Sequence, residues 1–212
     1  MKTRINKLVV FVTMAAIAIF VSASTASANG PLDIIGEYGF SGGGNIIETP
    51  YANWDPNNPF TLKDPTKVSF VSYHAYGIVT FNHNGTGTLD CISLGTLTAP
   101  LFTGASVWNP SYYHITYPFT YTIDKEGKIT SEAVTNAVKQ EALDPVTGMP
   151  TGMVAYKDHF SLTGYVSPDH KTITFATTAP IIDTLMVETP GGLMPLFKII
   201  SHESYVANRL TP

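Results

Sequence analysis

Short runs in which β-branched or aromatic residues alternate with polar ones fill the chain, and clusters of Gly, Pro, Asn and Asp separate them. This pattern predicts an all-β domain. Ser131–Leu143 also carries an apolar stripe at helical spacing, so the fold is expected to contain at most one short helix. The strand candidates are Ile35–Phe40, Val68–Asn82, Gly85–Leu94, Tyr112–Asp124, Lys128–Val134, Val154–Val166, Thr172–Thr178, Ile181–Glu188 and Leu196–Ala207.

The connections between these candidates fall into two kinds. Four are tight turns, at 82–85, 124–127, 167–170 and 189–192, whose Gly, Asn and Pro residues suit turn dihedrals. Three are long, at 41–67, 95–111 and 135–153, and they take the odd-numbered places in chain order. Because odd and even connections of an antiparallel meander lie at opposite ends, the long loops are expected at one end. A meander of eight or nine strands with one buried face closes into an up-and-down barrel, since closure removes exposed edges.

The amino terminus has the pattern of a secretory signal peptide. Lys2, Arg4 and Lys7 precede an apolar run over Leu8–Val21, and Ala26-Ser27-Ala28 supplies the small residues of a cleavage site. The run falls short of the roughly 20 apolar residues that span a bilayer, so stable membrane insertion is not expected. Residues 1–28 are therefore predicted to be a signal peptide, residues 29–212 a single barrel domain, and the protein secreted or periplasmic.

Charge and cysteine content exclude some classes of partner. The chain has a net charge of −4, and loss of the first three basic residues would make it −7. Its remaining basic residues are scattered singly, which argues against nucleic-acid binding. Cys91 is the one cysteine in the sequence, so it cannot form an internal disulfide and is expected to be a small buried residue.

Alternation along the strands identifies the side chains that face the barrel interior. The inward set of the second strand includes Tyr73 and that of the fourth includes Tyr113 and Tyr117, whereas His74 and His114 face outward. Eight strands leave room for a small ligand at most. These three tyrosines are therefore predicted to contact such a ligand.

Two carboxylates and two tryptophans complete the predicted site. Asp158 and Glu203 fall on the more apolar parity of their strands, where a carboxylate is costly unless it is hydrogen-bonded or reaches a wet cavity. Trp54 and Trp108 lie in long loops that could line a pocket mouth or plug the open end as a secondary core. The alternative for Asp158 is a structural hydrogen bond at a strand end or to a tyrosine.

Three patterns resemble chemical motifs but lack the required context. Gly39-Phe40-Ser41-Gly42-Gly43 matches a hydrolase elbow without the following helix, and its glycines are interpreted as a flexible exit from the first strand. Ser201-His202-Glu203 contains triad residue types, yet adjacent strand residues face opposite sides. The six histidines show no metal-ligand spacing. No catalytic residue, metal site or cofactor is assigned.

Gly36-Glu37-Tyr38 and the consecutive hairpins that lead to a final strand resemble the lipocalin-like, or calycin, group, in which a Gly-x-Trp motif opens the first strand. The chain is also similar to bacterial exported proteins that combine three patterns, which in this sequence occupy Asn84–Thr88, Tyr121–Gly127 and Ser167–Phe175. The resemblance implies a barrel over Ile35 to about Arg209. Barrel isomerases of the allene oxide cyclase kind share this shape, which keeps an enzymatic function open.

These observations favour a soluble exported barrel that binds a small, largely apolar molecule at its loop-bearing end. One alternative is an isomerase-like barrel enzyme that uses Asp158 or Glu203 as a general base. Another is a surface-recognition protein whose aromatic loops contact a macromolecule above a filled barrel. The sequence favours binding over catalysis, and it leaves the ligand and the oligomeric state open.

Overall fold

The structure is a computed structural model, and it describes residues 34–58, 61–99 and 107–210. The predicted signal peptide, residues 1–28, lies outside these ranges. The described residues form eleven strands and one 3₁₀ turn, Tyr51–Asn53. In chain order the strands are β1 (Gly36–Pro50), β2 (Ser69–Phe81), β3 (Thr86–Ala99), β4 (Val107–Ile123), β5 (Lys128–Ala133), β6 (Val138–Leu143), β7 (Pro150–Lys157), β8 (Ser161–Val166), β9 (Thr172–Ala176), β10 (Ile181–Thr189) and β11 (Gly192–Arg209).

The eleven strands build one closed antiparallel barrel. Strand β1 pairs with β2 on one side and with β11 on the other, which closes the sheet. Strand β4 pairs with β5 over 119–123 and with β6 over 113–116, and β11 likewise pairs with β9 over 204–208 and with β10 over 192–201. Two short strands therefore take the place of one long strand at three positions of the barrel. These pairs are β5 with β6, β7 with β8, and β9 with β10. The predicted up-and-down barrel of eight or nine strands is confirmed, with eight strand positions around the ring.

The helix allowed over Ser131–Leu143 does not form. Strands β5 and β6 occupy that segment, with a turn between them, and they pair with β4, β8 and β7. Val138, Gln140 and Ala142 are buried on one face with the period of a strand. Hydrogen bonding to neighbouring strands stabilises the extended form of this segment by more than its weak helical propensity favours a helix, since tertiary contacts commonly override local propensity.

The first strand is much longer than predicted. The expected loop 41–67 begins only after Pro50, because β1 continues through Gly42, Gly43 and Gly44. Those glycines pair in register with both neighbouring strands, so they are part of the barrel wall. The interpretation of this segment as a flexible exit was wrong.

The two ends of the barrel differ as predicted, with two corrections. The first is that the predicted long loops at 95–111 and 135–153 are partly strand, because β3 extends to Ala99, β4 begins at Val107 and β6 lies within 135–153. The second concerns one of the tight turns. The turns at 82–85, 124–127 and 167–171 lie at one end, which we call the closed end, and the 51–68 connection lies at the other, the loop-bearing end. The turn at 189–192 also lies at the loop-bearing end. It was predicted at the closed end because β9 and β10 were counted as separate crossings, whereas together they cross the barrel once.

Aromatic residues seal the closed end. The Phe81 ring makes edge-to-face contacts with Tyr38, Phe119 and Tyr121 at centroid distances of 5.5, 5.6 and 5.1 Å. The Tyr38 hydroxyl donates to the carbonyl of His170, and the Tyr121 hydroxyl donates to the carbonyl of Asn82. Each buried hydroxyl therefore has an acceptor, and the rings fill this end of the interior.

Candidate functional site

The barrel interior contains a cavity of about 160 Å³ between the aromatic cluster and the loop-bearing end. Its wall is mostly apolar, and the inward faces predicted for β2, β4 and β11 contribute to it. The polar or ionisable side chains of the wall are Glu48, Tyr73, Cys91, Ser93, Ser111, Tyr113, Tyr117, Ser131, Gln140, Lys157, Glu203 and Tyr205.

A directed hydrogen-bond chain crosses one side of this cavity. The Tyr205 hydroxyl donates to Oε2 of Glu203 over 2.7 Å, and the hydroxyls of Tyr73 and Tyr205 are 2.8 Å apart. A tyrosine hydroxyl has a single proton, and that of Tyr205 is directed to the carboxylate. Tyr73 is therefore the donor to Tyr205, and the chain runs from Tyr73 through Tyr205 to Glu203.

Lys157 supplies the countercharge. Its Nζ lies 3.9 Å from Oε1 of Glu203, and the exposed fractions of the two side chains are 10% and 1%. The ammonium also lies 5.3 Å from the centroid of the Phe160 ring, within the range of a cation–π contact. Oε1 accepts no hydrogen bond from any described residue, although it is buried. The cavity wall thus contains an ion pair separated by more than a hydrogen-bond length.

The glycines of β1 make room for the side chains of Glu203 and Tyr205. Gly44 is paired with Glu203 on one side and with Tyr73 on the other, and Gly42 is paired with Tyr205. A Cβ atom on Gly44 would lie 3.1 Å from Cγ of Glu203, and one on Gly42 would lie 2.7 Å from Cδ1 of Tyr205. The bare backbone therefore lets side chains of β11 cross β1 and reach Tyr73.

Burial keeps the phenols and the thiol of the cavity in their neutral forms. Burial, followed by the Glu203 carboxylate, raises the pKa of Tyr73 and of Tyr205 well above the usual tyrosine range. Burial, followed by the Asp90 carboxylate, raises the pKa of Cys91 to about 12. A thiol with that pKa is a poor nucleophile at neutral pH, which agrees with the small buried role expected for it.

The structure brings four of the seven predicted site residues to the cavity wall: Tyr73, Tyr113, Tyr117 and Glu203. Trp54 lies in the 51–68 connection, where its backbone forms a β-bridge with Leu62. Asp158 lies at the break between β7 and β8. Neither residue lines the cavity. The Trp108 side chain lies outside the described part of the structure. Ligand contact by the wall residues stays a prediction.

Asp158 is displaced because alternation fails at the strand break. Ala155 and Lys157 face inward in β7, and Phe160 and Leu162 face inward across the break, so two successive residues intervene where a regular strand has one. The prediction extended one register through the whole segment, which placed Asp158 inside and Lys157 outside; both assignments were wrong. A polar Lys-Asp-His run within an apolar strand is the signal that marks such a break.

Asp158 forms a carboxyl pair with Asp183, which sequence analysis did not single out. Oδ1 of Asp183 accepts from the backbone N–H groups of Thr184 and His159 at 2.7 and 3.1 Å, while Oδ2 is buried and receives no N–H or O–H from the described residues. Burial and a hydrogen bond to Asp158 raise the pKa of Asp183 to about 7. Burial alone would also raise the pKa of Asp158, but the hydrogen bond from Asp183 lowers it. The raised pKa of Asp183 and the lowered pKa of Asp158 indicate that, below pH 7, the proton of this pair resides on Asp183.

The proton on Asp183 predicts a pH-dependent stability. The folded pKa of Asp183 is above its unfolded value, so the folded state binds more protons and loses stability as pH rises toward 7. Between pH 5 and pH 7 the loss is about 2 kcal/mol. Asp183→Asn keeps the acceptor, can donate to Asp158 and does not titrate, so it should remove this slope. Urea unfolding at a series of pH values checks the difference, and parallel pH profiles for the two proteins would contradict the assignment.

Comparison with known proteins identifies no family. No protein-family model and no curated protein matches the chain. A solved structure described as an enduracididine biosynthesis enzyme, MppR, with HEPES buffer bound is 11% identical and aligns over 84% of this chain and 88% of its own, with a TM-score of 0.16. Similarity at that level supports no inference about fold or function. The lipocalin-like relationship stays a prediction.

Two further properties concern the described residues alone. Within 34–58, 61–99 and 107–210, no group of three or more His, Cys, Asp or Glu side chains is placed to hold a metal ion. The same ranges contain no helix with the length and apolar character needed to span a bilayer.

Proposed function

We propose that the protein is an exported barrel that binds a small, largely apolar molecule in its internal cavity. The observation that carries the proposal is the cavity itself, which has a volume of about 160 Å³, a mostly apolar wall and a cluster of polar side chains around Glu203. Small-molecule sites commonly combine apolar walls with a few polar groups that fix orientation. Export rests on the pattern of residues 1–28.

The cavity volume indicates the size of the molecule that the barrel can enclose. An engineered apolar cavity of about 150 Å³ binds benzene. A cavity of about 160 Å³ therefore suits a molecule of one ring or a comparable short chain. For such small ligands we expect dissociation constants of roughly 0.1–1 mM.

Ligand binding should raise thermal stability. At ten times the dissociation constant, a one-ring ligand should stabilise the folded state by about 1.4 kcal/mol, which raises the Tm by roughly 3–6 °C. The measurement is thermal unfolding of the purified protein with toluene, phenol, benzyl alcohol and cyclohexanol, followed by calorimetric titration of those that stabilise it.

A cavity-filling variant provides the control. Ala75 lines the cavity and is 3% exposed, so Ala75→Leu should weaken binding tenfold or more without unfolding the protein. Ala176→Leu makes the same change at an exposed site in β9 and should leave binding unchanged. The proposal fails if no compound of the panel stabilises the protein, or if both variants bind as the parent does.

The enzyme alternative is favoured by one observation, the convergence of Glu203, Lys157 and Tyr205 in the cavity. A general base needs a substrate proton within hydrogen-bond reach, and Oε1 of Glu203 is the atom that could take it. Asp158 does not line the cavity and does not support this role. Recovery of bound ligands chemically unchanged after prolonged incubation would favour binding. The filled-barrel alternative has no comparable support, since it requires an interior without this cavity.

A further inference from the structure

We propose that the ligand carries a neutral hydroxyl group, which binds between Nζ of Lys157 and Oε1 of Glu203. This inference rests on the proposed binding function and adds the chemical class of the ligand. It depends on three properties of the described residues: the direction of the tyrosine chain, the gap in the ion pair and the charge balance of the cavity.

The tyrosine chain leaves one acceptor atom open. The proton of Tyr205 is committed to Oε2 of Glu203, and the proton of Tyr73 is committed to Tyr205. Neither phenol forms a hydrogen bond with Oε1 of Glu203. This oxygen belongs to a side chain that is 1% exposed, and no described residue donates a hydrogen bond to it. A buried carboxylate oxygen is costly to leave without a donor, so the site calls for one from outside the chain.

The gap in the ion pair fits a single oxygen atom. Nζ and Oε1 are 3.9 Å apart, which is too far for a direct hydrogen bond. An oxygen about 2.8 Å from both atoms forms two bonds of ordinary length, with an angle of about 90° at the oxygen. A hydroxyl can use its proton toward Glu203 and its lone pair toward Lys157. An ether lacks the proton and a hydrocarbon lacks both functions.

The charge balance favours a neutral ligand. Lys157 and Glu203 neutralise each other, so the pair as a whole offers no net charge to an ion. Glu48 also lines the cavity, and burial raises the pKa of its carboxyl group, which favours the neutral form. A carboxylate ligand would be repelled by Glu203, and an ammonium ligand would be repelled by Lys157 at the same short range. The rings of Phe160 and Tyr117 line the cavity beside this group, with centroids 5.5 Å apart, and provide an apolar surface for the rest of the molecule. We infer an aromatic or alicyclic alcohol of about one ring.

Isosteric probes test this inference. Toluene and phenol differ by a methyl and a hydroxyl group at the same heavy-atom count, and methylcyclohexane and cyclohexanol form the matching alicyclic pair. In calorimetric titrations, each alcohol should bind tenfold or more tightly than its hydrocarbon partner, although the alcohol is the better solvated of the two in water. Benzoate and benzylamine should bind more weakly than phenol.

Two double variants assign the preference to its site. Lys157→Met/Glu203→Gln removes both charges together, and the preference for the alcohol should fall to threefold or less while toluene still binds. Lys139→Met/Glu141→Gln makes the same changes on the outer face of β6, on either side of the inward Gln140, and should retain the tenfold preference.

The outcomes separate the two proposals. Equal or tighter binding of the hydrocarbons would overturn the hydroxyl inference and leave the proposed function standing, and absence of binding by every probe would overturn both. Tighter binding of benzoate or benzylamine than of phenol would overturn the inference that the ligand is neutral. An undiminished preference in Lys157→Met/Glu203→Gln would place the hydroxyl elsewhere in the cavity and would also overturn the inference.

Discussion

Lys157→Met is expected to lower the free energy of unfolding at pH 7 by about 3–5 kcal/mol, because it leaves the Glu203 carboxylate buried without its countercharge. Glu203 is 1% exposed, and its carboxylate accepts a side-chain hydrogen bond from the Tyr205 hydroxyl. Methionine matches lysine in length and fills the space beside Phe160, so loss of packing contributes little. The measurement is urea unfolding monitored by circular dichroism.

The same pair provides the rescue. Lys157→Met/Glu203→Gln replaces both charges, and it should recover most of the lost stability because no isolated charge remains. Lys139→Met/Glu141→Gln on the outer face of β6 should change stability by less than about 0.5 kcal/mol. A single Lys157→Met variant as stable as the parent, or a double variant no better than the single one, would show that the ammonium does not neutralise Glu203.

Gly42→Ala is expected to lower the free energy of unfolding by about 3 kcal/mol, at the upper end of the usual cost of overpacking. The added Cβ would lie 2.6 Å from the Cα atom of Tyr205 and 2.7 Å from its Cδ1, and it would also collide with the carbonyl of Ser204. Two of these contacts are with backbone, so β1 and β11 would have to separate. Chemical unfolding measures the loss, and calorimetric titration with phenol should show weaker binding because Tyr205 moves.

Ser41→Ala is the matched control for Gly42→Ala. Ser41 is the preceding residue of β1, and its exposed side chain faces away from the cavity, so removal of the hydroxyl should change stability by less than about 0.5 kcal/mol. Comparable losses for the two variants would mean that β1 does not approach β11 closely at Gly42. Because the Ser41 side chain does not face the cavity, we also expect Ser41→Ala to leave phenol binding unchanged.

Alternation predicted the interior correctly wherever a strand is continuous. The inward face of β2, with Tyr73, and that of β4 from Ser111 onward, with Tyr113 and Tyr117, follow a period of two. Glu203 was placed inside by the same rule in β11 and lines the cavity. Strand β2 pairs in regular register with both of its neighbours, and the residues of β11 around Glu203 pair in regular register with β1. The side-chain direction there depends on position in the sequence alone.

The prediction failed where the register changes. Lys157 lines the cavity and Asp158 does not, because the break between β7 and β8 inserts an additional residue before Phe160. Such a break is stabilised by contacts distant in sequence, among them the bond from the Thr184 N–H to the Asp158 carboxylate. Local propensity contains no information about that partner, so a single period misassigned both residues.

The amino-acid sequence by itself determined the class of fold, the direction of most strands, the closed end with its tight turns and the identity of the inward tyrosines. These features depend on patterns of two to ten residues, because side-chain alternation and the dihedral preferences of turn residues are local in sequence. Only the tertiary structure decided that three glycines of β1 form part of the wall, that Lys157 faces Glu203 and that Asp183 lies beside Asp158. Each of these depends on a distance between strands far apart in sequence, and closure of the barrel sets that distance.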